Sequence, residues 1–194
     1  MIGAVIAMQS EADILLNQMK IERELTVSGK QVFVGRAFGK DVALCLCGIG
    51  KVNAALGTQV LVSKFDVEKL VNFGVAGGLK DGTKMGTLDE YQENYLNCNQ
   101  FRADFPKKRL GTADRFNDSV DDYKLLTEEL KADIRDMEGC AVVQAAYCAQ
   151  LPVFMMKAIS DVAGSGNTAE QYFANKTKAL ENLSAALPTF FEEL

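Results

Sequence analysis

Short apolar runs recur along this chain, and each stops abruptly at small or polar residues. Ile2–Ala7, Val42–Cys47, Leu70–Phe73 and Val153–Ile159 have strand length and are bounded by turn-forming residues, so they read as buried strands. Glycine turns follow three of them, at Gly48–Ile49–Gly50, Gly74 to Gly78 and Gly164–Ser165–Gly166. Between the runs lie stretches with helical spacing. Ile14, Leu15, Gln18 and Met19 mark the first, and others cover about 52–64, 121–131, 137–149 and 168–193. Leu25–Ser28 and Gln31–Phe38 read as two strands joined at Gly29–Lys30, and Ala132–Arg135 as a short one. Strands that alternate with helices argue for an α/β sheet with helices on both faces. No repeat or linker divides the chain, and 194 residues are enough for one sizeable core, so a single domain over 1–194 is expected. From about residue 80 to 110 polar and charged residues dominate, and this atypical segment yields no firm elements.

Composition removes whole classes of function. Net charge is −5, and Lys and Arg form no long run, so neither a nucleic-acid groove nor an anionic membrane surface is expected as partner. No apolar stretch approaches the roughly 20 residues of a transmembrane helix. Ile2–Met8 lacks a basic flank and reads as a strand, not a signal peptide. Cys45 and Cys47 sit in an apolar run, and Cys140 and Cys148 in an apolar helix pattern. They are expected to be small buried hydrophobes in a reducing cytoplasm. The chain has no histidine. That excludes Ser-His-Asp and Cys-His machinery and HExxH zinc sites, and leaves acid–base chemistry to carboxylates, Lys, Tyr or Cys.

Carboxylates at the ends of these elements are the natural candidates. Asp161 follows the run Val153–Ile159, where ligands of open α/β sheets bind, although an Asp there also serves as a turn cap. Glu11 follows the first strand, and Glu138 opens the apolar helix pattern 137–149. Helix dipoles alone attract acids to both positions, but Glu138 opens a helix so apolar that its carboxylate needs partners, either a structural Arg or the hydroxyls of a sugar. The glycine turns fit neither the P-loop nor the full dinucleotide-binding spacing; they are plain turns or the walls of one shared crevice. No DxD spacing supports a metal, and no cofactor is implied.

Four segments together resemble the 5′-methylthioadenosine/S-adenosylhomocysteine nucleosidases of the nucleoside phosphorylase superfamily. They are Ile6–Glu11, Gly48–Ala55, Asn72–Leu79, and Asp136–Met137–Glu138 with Ala158–Asp161. The resemblance implies a three-layer α/β fold with a mixed, barrel-like central sheet flanked by helices, a homodimer, and hydrolysis of the N-glycosidic bond of an adenine nucleoside. Asp161 then resembles the acid that protonates purine N7, with Ser160 beside it. Glu138 resembles the carboxylate that holds the ribose hydroxyls, with Met137 against the sugar. Glu11 resembles the residue that positions the attacking water. Phe116 matches the aromatic that stacks on adenine, and Asn117 the neighbour whose backbone reads the base. Ala7, Met8, Ile49, Ala76, Gly77 and Ala163 match pocket walls.

Two positions depart from the family pattern. Val75 stands where a small hydroxyl residue is usual, and Lys157 where Arg is usual; both are expected near the water and the ribose. The chain is also shorter than the family after Gly78, so the choice of 5′ substituent does not carry over. Two alternatives remain beside hydrolysis: a phosphate-dependent phosphorylase, and a nucleoside-binding protein with lapsed catalysis. The Glu11 charge near the nucleophile's place disfavours phosphate.

Overall fold

Strand β1 (Ile2–Ile6) is buried at every position and sends alternate side chains to opposite faces of a sheet. In a computed structural model of the chain, that sheet is mixed and, among the described residues, has eight strands. The structure describes residues 1–79, 87–88, 98, 105–116, 119–163 and 167–194. After β1 come α1 (Gln9–Leu16), β2 (Lys20–Val27), β3 (Lys30–Ala37), β4 (Lys40–Leu46), α2 (Lys51–Lys64) and β5 (Lys69–Gly78). Two-residue strands β6 (Thr87–Leu88) and β7 (Lys107–Lys108) pair with each other. Then follow β8 (Leu110–Thr112), α3 (Val120–Lys124), β9 (Ile134–Asp136), α4 (Gly139–Cys148), β10 (Val153–Val162) and α5 (Thr168–Glu192).

The sheet runs β2-β3-β4-β1-β5-β9-β8, with β10 on β5. Strand β5 is the branch point. Its first residues, Lys69–Val71, pair with β1, and its last, Gly77 and Gly78, pair antiparallel with β9, while β10 follows nearly its whole length in parallel. Where β1 and β5 part, the Asn72 side chain donates to the Val5 carbonyl at 2.7 Å and replaces the missing ladder bond. Helices cover both faces. Ile14 and Leu15 of α1 and Leu183, Leu187 and Phe190 of α5 pack on one face, and Ala54 and Leu61 of α2 and Val142 and Ala146 of α4 on the other. Among the described residues no helix is long and apolar enough to cross a membrane.

Several sequence expectations need correction. Strand β5 does not stop at Phe73 but continues through Gly74–Gly78, because β10 supplies a ladder along the glycines. Strand β10 likewise runs past Ser160 and Asp161 to Val162, so Asp161 lies inside a strand. Strand β2 starts at Lys20 and is exposed along most of its length; edge pairing with β3 holds it, with Leu25 and Val27 half-buried against the core. Helix α3 is one turn that passes into a π-helical turn at Leu125–Glu129. On helix α4, Cys148 faces solvent beside Tyr147 and Cys140 is half-buried, so neither is the buried hydrophobe expected, whereas Cys45 and Cys47 are buried. Asn117, the turn Gly164–Ser165–Gly166 and most of the atypical segment lie outside the described residues.

Candidate active site

Glu11 is placed by its own helix start. It is the third residue of α1, and its Oε2 accepts the Met8 backbone N–H at 3.2 Å. Its Oε1 accepts the Val75 N–H at 2.8 Å, which joins α1 to the middle of β5. A methyl group at Gly74 would collide with that same Oε1, so this stretch of β5 is glycine to let the carboxylate lie against the strand. The Glu11 carboxyl is almost wholly buried, and burial pushes its pKa up to about 6 despite the nearby Lys157 ammonium and two backbone donors.

Glu138 is held by a network around Asp136. Strand β9 ends at Asp136, whose Oδ2 accepts the Gly139 N–H at 2.9 Å and whose Oδ1 accepts the Thr112 hydroxyl at 2.6 Å. Thr112 Oγ1 accepts the Cys140 N–H at 3.0 Å, so the first N–H groups of α4 are satisfied without using Glu138. Its carboxylate is therefore free to face the cavity, with Oε1 fixed by the Gly50 N–H at 2.8 Å. Burial raises its pKa, and Lys157 and the Gly50 donor offset part of the rise.

Asp161 is aimed by a bulge. The register of β10 on β5 shifts between Ile159 and Asp161, so Ser160 is the extra residue and both side chains end up buried. The Ser160 hydroxyl donates to Asp161 Oδ2 at 2.8 Å, and Arg135 Nη2 donates to Oδ1 at 2.7 Å. Gly77, opposite Asp161, has no room for a side chain: a Cβ would stand 2.9 Å from both Asp161 Oδ1 and Arg135 Cζ.

These three carboxylates, 150 residues apart at the extremes, face one cavity of about 290 Å³. Ala7, Met8, Ile49, Val75, Ala76, Gly77, Phe116, Met137 and Ser160, all singled out in the sequence, share its wall. Two expected residues do not. Lys157 lies behind the wall, ion-paired with Asp136 at 2.9 Å, and burial opposes its charge less strongly than Asp136, Glu138 and Glu11 favour it. Ala163 points away from the cavity and packs with Leu79, Leu126 and Ala132.

Sequence reasoning missed Arg135, Arg115, Tyr172 and Phe173, which also line the cavity. The aromatic pair carried a signal, being adjacent rings near the start of the last helix. Tyr172 meets Phe116 edge-on at 5.9 Å and donates weakly to the Met8 sulfur at 3.7 Å, closing the mouth between α5 and α1. Arg115 is held by Asp122. Among the described residues no group of three or more His, Cys, Asp or Glu side chains is arranged to hold a metal ion.

The site thus presents carboxylate oxygens at three places around one cavity. Glu11, Asp136, Glu138 and Asp161 outnumber Lys157 and Arg135, so the buried charge favours a cation between them.

Comparison with known proteins gives a consistent picture. The sequence profile of the phosphorylase superfamily matches residues 1–88 and 96–192. A 5′-methylthioadenosine/S-adenosylhomocysteine nucleosidase from Marinomonas sp. is 31% identical over 88% of this chain and 90% of its own length. One from Listeria monocytogenes is 29% identical over 86% of this chain and 88% of its own. The fold superposes on a solved S-adenosylhomocysteine nucleosidase from Streptococcus pyogenes with a TM-score of 0.86, at 22% identity, over 100% of this chain and 96% of that one.

Proposed function

This chain belongs to the phosphorylase superfamily, and within it to the 5′-methylthioadenosine/S-adenosylhomocysteine nucleosidases, and on that premise we propose that it hydrolyses the N-glycosidic bond of an adenine nucleoside, 5′-methylthioadenosine or S-adenosylhomocysteine, to adenine and a ribose derivative. One observation carries the reading: Glu11, Glu138 and Asp161, brought from three separate elements, line one cavity together with Phe116.

Adenine stacks on Phe116 with its N7 toward Asp161, and the Ser160 hydroxyl orients that carboxyl. Glu138 accepts the ribose hydroxyls, and Met137, Met8 and Ile49 pack on the sugar. As the C1′–N9 bond breaks, its electron pair passes into the purine and Asp161 gives a proton to N7. Positive charge develops on the ribose, where the excess of buried carboxylate stabilises it. Water held by Glu11 attacks C1′ from the opposite face, and Glu11 takes its proton. A carboxylate with a pKa of about 6 is charged at neutral pH and still basic enough for that step.

Water is favoured over phosphate as nucleophile. Lys157 is already ion-paired with Asp136 behind the cavity wall, and Glu11 would repel an anion. We also infer a homodimer, supported by the exposed apolar stripe of Ile49, Val52 and Leu56 at the start of α2 beside the cavity mouth. A cytoplasmic location fits the free thiols of its cysteines. The test is adenine release from 5′-methylthioadenosine in phosphate-free buffer. Release that is lost in Asp161→Asn supports hydrolysis; release only when phosphate is added supports a phosphorylase instead.

A further inference from the structure

Arg135 is 6% exposed and comes from β9, a strand only three residues long. Its guanidinium is fixed on three sides. Asp161 Oδ1 accepts its Nη2 at 2.7 Å. The Phe116 ring lies on one side, with its centroid 5.1 Å from Cζ. The β5 backbone lies on another, so close that a Cβ on Gly77 would stand 2.9 Å from both Cζ and Nε. A planar, hydrogen-bonding, π-stacking group thus lies against Phe116 and Gly77 with its edge on Asp161. A purine in this site needs those same contacts. The cavity left beside the guanidinium, about 290 Å³, is at the lower end for a small-molecule site.

We propose that Arg135 is a tethered occupant of the base subsite, which the purine displaces on binding, and that it sets the affinity for the base. The proposal rests on the nucleosidase reading above, which makes Phe116 and Asp161 the base contacts. Displacement separates the guanidinium from Asp161. The fraction of molecules with an open subsite then scales the apparent affinity. When the base pushes the cation aside, it meets Asp161 Oδ1 in place of the guanidinium. Arg135 is a positioning residue in this scheme, since it leaves before the bond is cleaved.

Calorimetric titration with adenine, comparing the intact chain with Arg135→Ala and Arg135→Met, tests the idea. Both variants should bind adenine about tenfold tighter, the size expected for releasing one charge-assisted contact. In both, the KM for 5′-methylthioadenosine should fall by a similar factor, because the substrate no longer has to expel the guanidinium, whereas a purely structural loss would lower kcat and leave KM unchanged or raised. Unchanged or weaker adenine binding in both variants, with adenine release intact in the parent chain, overturns the displacement and spares the nucleosidase reading. No adenine binding and no adenine release by the parent chain overturns both. A structure of the parent chain with adenine bound needs no variant: Arg135 parted from Asp161 supports the proposal, and the pair intact beside adenine overturns it.

Discussion

Lys157 Nζ lies 2.9 Å from Asp136 Oδ2, with both side chains almost completely buried. The pair ties β10 to the β9–α4 turn and so sets the height of Glu138 against the cavity. It also places one positive charge behind two carboxylates, Glu11 and Glu138, that burial would otherwise drive further toward their neutral forms.

Lys157→Met should therefore act on stability and on catalysis together. Breaking a buried ion pair leaves Asp136 without its cation and costs about 3–5 kcal/mol, measurable by urea unfolding. The same change removes the charge that holds the Glu11 pKa down, so the acid limb of activity should move above pH 6.

The pH profile of the parent chain follows from Glu11. In the proposed mechanism that carboxylate orients water only when ionised, so kcat/KM should fall as pH drops through about 6. Glu11→Gln should reduce kcat by about 10²–10⁴ and abolish that acid limb.

The same residue links stability to pH. The folded-state pKa of Glu11 lies above its ordinary value of 4.5, so its contribution to stability is complete below 4.5 and is lost as pH rises through about 6. At neutral pH the loss is about 2 kcal/mol. Glu11→Gln should accordingly be slower yet more stable than the parent at pH 7, by thermal melting, with the difference shrinking as pH falls below 5.

Gly74→Ala tests placement rather than chemistry. The added methyl would collide with Glu11 Oε1 and push the carboxylate off the Val75 N–H. A displacement of that order should lower kcat by about 10²-fold. The substrate KM should change far less, because Glu138, Phe116 and Asp161 are untouched.

Phe116→Ala separates base binding from the carboxylates. Loss of an aromatic platform is worth about 1–3 kcal/mol per base, so KM should rise roughly tenfold or more. Fluorescence or calorimetric titration with adenine should show the same loss.

The strands β1 and β4 and the helices α2 and α5 were legible because their apolar spacing and their burial have the same cause. The glycines of β5 misled, since glycine normally marks a turn. Here it marks the close approach of Glu11 at Gly74 and of Asp161 with Arg135 at Gly77, contacts made by residues far away in the sequence. Asp161 read as a residue beyond a strand because a bulge at Ser160 is invisible to periodicity. Lys157 did carry a readable signal. A lysine inside Met155–Ile159 demands a buried counter-charge, and Asp136 supplies it. Arg135 carried none: next to Asp136 in a short strand it looks like any surface cation, and only the chain's return through β10 brings Asp161 to it.

The attacking group is the most direct test of the whole arrangement. The chain is incubated with 5′-methylthioadenosine in ¹⁸O-labelled water containing phosphate, and the sugar product is weighed by mass spectrometry. Glu11 as the residue that holds water predicts one ¹⁸O at C1′ of a free sugar, with the rate independent of phosphate. An unlabelled sugar 1-phosphate, or no cleavage at all, would contradict it.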